Sequence, residues 1–234
     1  MLAAGTSLED ATELCEEEEF LGRISVAARN SPSSVTISGD EDAIDELAAV
    51  LDDEKKFNRR LKVDTAYHSN HMLPCFDPYI ASLRKVGITV LPGNEQCTWI
   101  SSVYEGRAIN PSTDELADVY WAQNMKKPVL FSQAVQAAVA PVQGSELHAA
   151  AIEVGPHAAL AGSAKQNIQE VLQKDIPYHG TLLRGGDSMT AFSTCLEFLW
   201  TRLDTASIDL GSCEAALSGR RQHYTVLADL RSYQ

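Results

Sequence analysis

The sequence predicts an α/β protein whose front is a small α+β subdomain, and three observations carry that reading. Short β-like runs and amphipathic helical runs alternate in the order βαββαβ over residues 1–63. From Asp64 the pattern changes to longer helices separated by continuous apolar runs, the style of a mostly parallel layer covered on both faces. The composition, 44% hydrophobic and 22% charged, belongs to a chain that can bury a core without disulfide or metal staples.

The elements follow in order. Met1 to Gly5 is a short apolar run and Ser7 a plausible N-cap, after which Leu8, Ala11, Leu14 and Cys15 recur at helical spacing up to the acidic run Glu16 to Glu19. That acidic run reads as a solvated helix end. Arg23 to Arg29 is a compact β run, Asn30-Ser31-Pro32-Ser33 has turn chemistry, and Ser34 to Ser38 returns with Val35 and Ile37 on one face, so the two runs should pair antiparallel. Gly39-Asp40 caps a second helix carrying Ile44, Leu47, Ala48 and Leu51 at a 3.6 period, and Phe57 to Val63 supplies the fourth strand. A βαββαβ order of this kind is ferredoxin-like.

Beyond Asp64 the predicted strands are Thr98 to Val103, Ala149 to Val154 and Tyr178 to Leu182. The predicted helices are Met72 to Val86, Thr113 to Gln123, Val129 to Val139, Ala158 to Leu172 and Ser188 to Leu203. So few strands make a thin parallel sheet, and the remaining ones are expected upstream of Met1. Periodicity weakens from Asp204 to Gln234, which reads as a linker. The expected organisation is therefore a small subdomain over 1–63, a larger α/β portion over 64–203 and a linker over 204–234.

A formal charge of −13 repels phosphate backbones and anionic lipid, so nucleic acid and membrane are poor candidates and neither is expected as a partner. No stretch approaches the roughly 20 apolar residues of a membrane span, and no basic flank and apolar run marks a signal peptide, so a cytoplasmic location is expected. Cys15, Cys75, Cys97, Cys195 and Cys213 are scattered, with no CxxC pair, and read as reduced structural thiols. His68 and His71 stand three apart, a spacing a metal could use, but no third or fourth ligand is placed by motif, so no metal is expected. His157 lies in a turn shaped by Gly155 and Pro156 and reads as a packed turn histidine.

Several segments, in one order, resemble the acyltransferase domain of polyketide and fatty acid synthases. Arg29-Asn30-Ser31-Pro32-Ser33-Ser34-Val35-Thr36-Ile37-Ser38-Gly39-Asp40 resembles the family's NSPxSVTxSGD segment, which belongs there to a ferredoxin-like insertion. Val63-Asp64-Thr65-Ala66-Tyr67-His68-Ser69-Asn70-His71-Met72 resembles the VDxAYHSxHM segment of iterative, fungal-type highly reducing synthases. Further on, Tyr120 to Phe131 resembles YWxxNLxxPVxF, Glu153 to Leu160 resembles EVGPHxxL, and Gly180 to Gly185 resembles GTLxRG. Val226-Leu227-Ala228-Asp229-Leu230 is similar to the start of the linker that follows such domains, although Arg231-Ser232-Tyr233-Gln234 departs from its usual continuation.

The resemblance implies that this chain is the C-terminal portion of a malonyl-CoA:acyl carrier protein transacylase, with a partial α/β-hydrolase-like parallel sheet behind the ferredoxin-like subdomain. Acyl transfer needs a nucleophile, a base and donors for the oxyanion. The family's nucleophile is the serine of GHSxG, and no GxSxG occurs in these 234 residues. Gly5-Thr6-Ser7-Leu8-Glu9 has glutamate where the elbow needs glycine, which leaves Ser7 as a cap. The family's substrate-carboxylate arginine likewise falls upstream of Met1.

The resemblance makes His68 the catalytic base, with the backbone carbonyl of Asn124 orienting its ring in place of a carboxylate. Asn30 and Ser31 are placed by it near the acyl cleft, and Ala66-Tyr67 beside the substrate, implying malonyl as extender. No cofactor is implied for the chain itself: malonyl-CoA is substrate, and phosphopantetheine is carried by the partner acyl carrier protein, with ketosynthase and dehydratase as neighbouring domains. On this reading the isolated chain is inactive. The alternative is a non-catalytic docking module derived from an acyltransferase. An RNA-binding ferredoxin-like domain is disfavoured by the charge and by the lack of an aromatic RNP run.

Overall fold

Apolar periodicity decides the front of the chain in the computed structural model, which describes residues 1–94, 96–141, 149–203 and 208–219. Strands β1 (Leu2–Ala4), β2 (Ile24–Ser31), β3 (Ser34–Gly39) and β4 (Asn58–Arg60) alternate with helices α1 (Leu8–Glu16) and α2 (Glu41–Asp53) in the predicted βαββαβ order. All pairings are antiparallel and the sheet order is β2-β3-β1-β4, the ferredoxin-like arrangement. Ser7 caps α1 as predicted, its hydroxyl accepting from the Asp10 N–H at 3.0 Å.

The helical spacing of Ala43, Ile44, Leu47 and Leu51 turns one face of α2 onto the sheet, where it meets Leu2, Val35, Ile37 and Phe20, all without solvent exposure or nearly so. Burying each large apolar side chain contributes about 1.5–3 kcal/mol. Leu47→Ala is therefore expected to lower stability by about 2–5 kcal/mol in urea denaturation; a loss under about 1 kcal/mol would show that α2 is not seated on this core. Gly39 is required where β3 leaves the sheet, because a Cβ there would stand 2.1 Å from the Arg23 carbonyl oxygen.

Several elements differ from expectation. Only Pro32-Ser33 forms the turn of the hairpin, and Asn30 and Ser31 are the last residues of β2, because register shifts at Val26/Ala28 and Arg29/Ser31 carry the strand further. The run from Thr98 to Val103 is no strand: a single bridge pairs Ile100 with Ala108, and Glu105 and Gly106, both at positive φ, turn the chain back at once. The helix predicted from Thr113 starts instead as α4 (Val119–Lys126). Asn110 and Asp114 close the preceding stretch on itself, the Asp114 carboxylate accepting from the Asn110 N–H and from Arg107.

The chain divides into two compact units, Met1–His148 with Ala159–Ile176, and Ala149–Ala158 with Pro177–Gln234. The first adds α3 (Leu73–Val86), α4, α5 (Phe131–Val139) and α6 (Ala161–Leu172) to the antiparallel sheet. The second contains β5 (Ala151–Glu153) and β6 (Tyr178–Gly180), paired parallel, with α7 (Ser188–Trp200) and α8 (Leu210–Ser218). The parallel layer among the described residues thus has two strands and not three. Helix α8 lies where a linker without structure was predicted; Asp209 caps it by accepting from the Ser212 N–H at 2.9 Å. The segment Val226 to Leu230 and Arg231 to Gln234 lie outside the described residues.

Candidate active site

Pro128 determines the geometry around His68. A residue before proline is barred from the α region, so α4 stops at Lys126 and Lys127 is extended at φ −76°, ψ 156°. The Lys127 N–H still donates to the Gln123 carbonyl at 2.8 Å, while its own carbonyl turns off the helix axis. Val129 then runs alongside β2, donating to the Ala27 carbonyl and accepting from the Arg29 N–H, each at 2.9 Å. The end of α4 is held from both sides.

The His68 loop closes onto this end. The His68 N–H donates to the Met125 carbonyl at 3.2 Å, and ring Nδ1 lies 3.0 Å from the Lys127 carbonyl oxygen. A carbonyl only accepts, so Nδ1 is the donor of this bond, and Nε2 is left with no hydrogen-bond partner among the described residues. This corrects one expectation: the oxygen that orients the ring belongs to Lys127, not to Asn124. Asn124 lies within α4, one turn before the proline lets a carbonyl leave the helix. The signal for Lys127 was its place before Pro128.

His68 has φ +58°, a left-handed conformation that non-glycine residues rarely adopt. Its neighbours enforce it. Buried Ser69 donates to the Ala66 carbonyl at 2.7 Å and accepts from the His71 N–H at 3.2 Å, starting a 3₁₀ turn over Asn70–Met72. His71 Nε2 stands 2.9 Å from Asp40 Oδ1, which ties the turn to the start of α2. Asp40 occupies the predicted cap position of α2 but makes no side-chain capping bond, because its carboxylate faces His71. Such local strain held by surrounding bonds is typical of functional positions. The two histidines are thus engaged by different partners.

Tyr67 is 45% exposed beside His68. Asn30 is joined to the same region through β2, whose Arg29 N–H binds Val129. Its carbonyl accepts from Asn167 Nδ2 at 2.8 Å and its own amide donates to Thr36 Oγ1 at 3.2 Å. Ser31 is fully buried, its hydroxyl without a hydrogen-bond partner among the described residues, so it does not face a cleft as expected. Asn167 was missed in the sequence. It is buried on α6, donates also to the Ser163 carbonyl and accepts from Ser132 Oγ of α5 at 2.6 Å, so it ties α5, α6 and β2 together. Its signal was an amide between Ala164 and Ile168 on the apolar face of a helix.

An aromatic cluster flanks α4. Tyr120 meets Trp99, Tyr104 and Trp121 edge-on, with centroids 5.2, 5.6 and 5.1 Å away. Arg107 and Lys127 both place their cations over the Tyr104 ring, at 4.8 and 5.1 Å.

In the second unit the EVGPH and GTLxRG segments form the parallel pair. The Thr181 N–H donates to the Glu153 carbonyl at 2.9 Å, and Tyr178 donates its hydroxyl to the Glu153 carboxylate at 2.7 Å. Burial and that carboxylate push the Tyr178 phenol well above its ordinary value. His157 and His179 border an apolar cavity of about 460 Å³ with Leu183 and Thr190. Cys195 is buried on α7, which raises its thiol pKa.

The antiparallel ferredoxin-like sheet and the parallel strand pair are the two sheets expected of the acyltransferase class that the motifs resemble. The chain belongs to the acyl transferase domain family, whose pattern matches residues 3–206. It is 82% identical over 236 residues to the highly reducing polyketide synthase sthA of Phaeosphaeria nodorum, and 75% identical over 234 residues to bet1 of Neocamarosporium betae. In both comparisons all of the chain is covered but only 8% of the relative, so the chain spans a small part of these curated relatives.

Solved acyltransferases agree. The domain from the second module of the salinomycin polyketide synthase superposes with TM-score 0.69 at 25% identity, covering 86% of this chain and 43% of that one. A loading acyltransferase from the avermectin polyketide synthase gives TM-score 0.69 at 26% identity, covering 85% and 58%. No helix among the described residues is long and apolar enough to cross a membrane.

Proposed function

We propose that the chain supplies the general base of a Ser–His acyltransferase that moves malonyl groups from CoA to the phosphopantetheine thiol of an acyl carrier protein. The observation that carries this reading is the hydrogen bond from His68 Nδ1 to the Lys127 carbonyl, which leaves Nε2 as a proton acceptor. Residues 1–63 serve as the small subdomain, 64–203 as the C-terminal part of the large one and 204–234 as the linker. The serine comes from a segment outside these 234 residues.

In the first half-reaction Nε2 takes the serine proton as its oxygen attacks the malonyl thioester. The tetrahedral intermediate then collapses to the malonyl ester, and the imidazolium returns the proton to the departing CoA thiolate. The pantetheine thiol is deprotonated in the same way, attacks the ester, and the proton goes back to the serine. Throughout, the Lys127 carbonyl stabilises the positive ring, the part a carboxylate plays in a triad. Tyr67 lines the substrate side of the histidine.

The 234-residue chain alone, incubated with radiolabelled malonyl-CoA, is expected to retain no label after denaturation. Co-expression with the family's serine-bearing segment should restore a covalently held label. Labelling of the chain alone would contradict the reading, as would an assembled pair that folds and stays unlabelled.

A further inference from the structure

We propose that the Tyr104 ring, acting through the side chain of Lys127, is a positioning device for His68. The proposal rests on the reading of His68 as the base. Its starting point is the peptide plane between Lys127 and Pro128. Most peptide planes are fixed at both ends, by an N–H and by a carbonyl, but proline has no N–H. Among the described residues, the only hydrogen bond from this plane is the one its carbonyl accepts from His68 Nδ1. The oxygen that orients the base therefore has no second hydrogen bond to hold its own direction.

The Lys127 side chain adds a restraint to those that α4 and β2 place on either side of this plane. Its Nζ lies 5.1 Å from the centroid of Tyr104, and no carboxylate pairs with it among the described residues. Tyr104 is packed edge-on against buried Tyr120, and it carries Arg107 at 4.8 Å. Arg107 is itself fixed by two hydrogen bonds to Asp114, at 2.9 and 2.7 Å, so its charge is locally compensated and it does not repel Lys127 from the ring as an isolated cation would. The Ser102 carbonyl, two residues before Tyr104, accepts from the Leu130 N–H at 2.7 Å and sets the spacing between the aromatic loop and the Lys127 segment. The cation thus pins the α-carbon of Lys127 from its side chain, and the carbonyl direction follows. A ring that loses this oxygen can exchange tautomers and turn Nε2 away from the nucleophile.

The test uses an acyltransferase assembled from this chain and the family's serine-bearing segment, with ¹⁵N-histidine labelling to read the His68 tautomer and steady-state kinetics beside it. Tyr104→Phe keeps the π face and should leave the Nδ1–H tautomer and kcat unchanged. Tyr104→Leu and Lys127→Met should both give mixed tautomers and lower kcat roughly ten- to a hundredfold, with KM for malonyl-CoA within about twofold. Lys127→Arg should restore both readouts. Folded Tyr104→Leu and Lys127→Met proteins with the original tautomer and kcat would overturn the proposal. So would a rise in KM at constant kcat, which would make Lys127 a substrate contact. If Tyr104→Leu does not fold, the Lys127→Met and Lys127→Arg pair decides alone. Failure of the underlying reading looks different: His68→Asn would then transfer malonyl at the original rate, whatever the Tyr104 variants do.

Discussion

His68→Asn in the assembled acyltransferase is expected to lower both half-reactions by about 10²–10⁴, the usual contribution of a positioned general base. That corresponds to about 3–5 kcal/mol of lost transition-state stabilisation. Asparagine is the informative replacement because of the backbone. His68 has φ +58°, which asparagine tolerates and alanine does not, so the loop is not forced open by the change. The asparagine amide can also donate where Nδ1 does, toward the Lys127 carbonyl. What it cannot do is accept a proton at neutral pH. Stopped-flow release of CoA reports the first half-reaction, and transfer from a malonyl-loaded enzyme to the carrier protein reports the second. Unequal losses, with one half-reaction untouched, would mean that another group acts as base in that step.

The second large effect concerns a residue remote from the proton transfer. Asn167→Leu has nearly the same volume but removes a donor from the Asn30 carbonyl and an acceptor from the Ser132 hydroxyl. Ser132 is fully buried, so its hydroxyl has no water to turn to. Each buried polar group left unpaired costs about 1–3 kcal/mol, which places the expected loss at about 2–5 kcal/mol in chemical denaturation. The same bonds fix the end of β2, and β2 holds Val129 beside the carbonyl that orients His68. Reduced hydrogen-exchange protection should therefore appear at Arg29 and Val129 before it appears in α2. Stability within about 0.5 kcal/mol of the parent would show that the network is replaceable by packing alone.

How far the sequence could be read depended on whether local pattern and tertiary role coincided. In α2 they did: Ile44, Leu47 and Leu51 sit at helical spacing and all of them reach the core. At Thr98 to Val103 they did not. The apolar content there is real, but Trp99 and Val103 serve the aromatic cluster around Tyr120 and not a strand. Leu116 and Tyr120 have helical spacing and are both buried, yet Asn110 and Asp114 draw the chain just before them into turns. Periodicity marks which residues are inside without fixing the backbone that brings them there.

The site followed the same division. The motif around His68 was legible as a run of residues, whereas its oxygen partner required knowing where α4 ends. Pro128 was in view, and applying its steric rule would have moved the acceptor from Asn124 to Lys127. The pairing of His71 with Asp40, 31 positions apart, had no local signal at all. Nor did the buried amide of Asn167, which meets Asn30 across 137 positions.

A crystal structure of the assembled acyltransferase trapped as its malonyl ester bears most directly on the role of His68. Nε2 should lie about 3 Å from the ester oxygen of the serine, with Nδ1 still on the Lys127 carbonyl. A ring with Nε2 turned away from that oxygen, or with another side chain in hydrogen-bond reach of it, would contradict the assignment of His68 as the base.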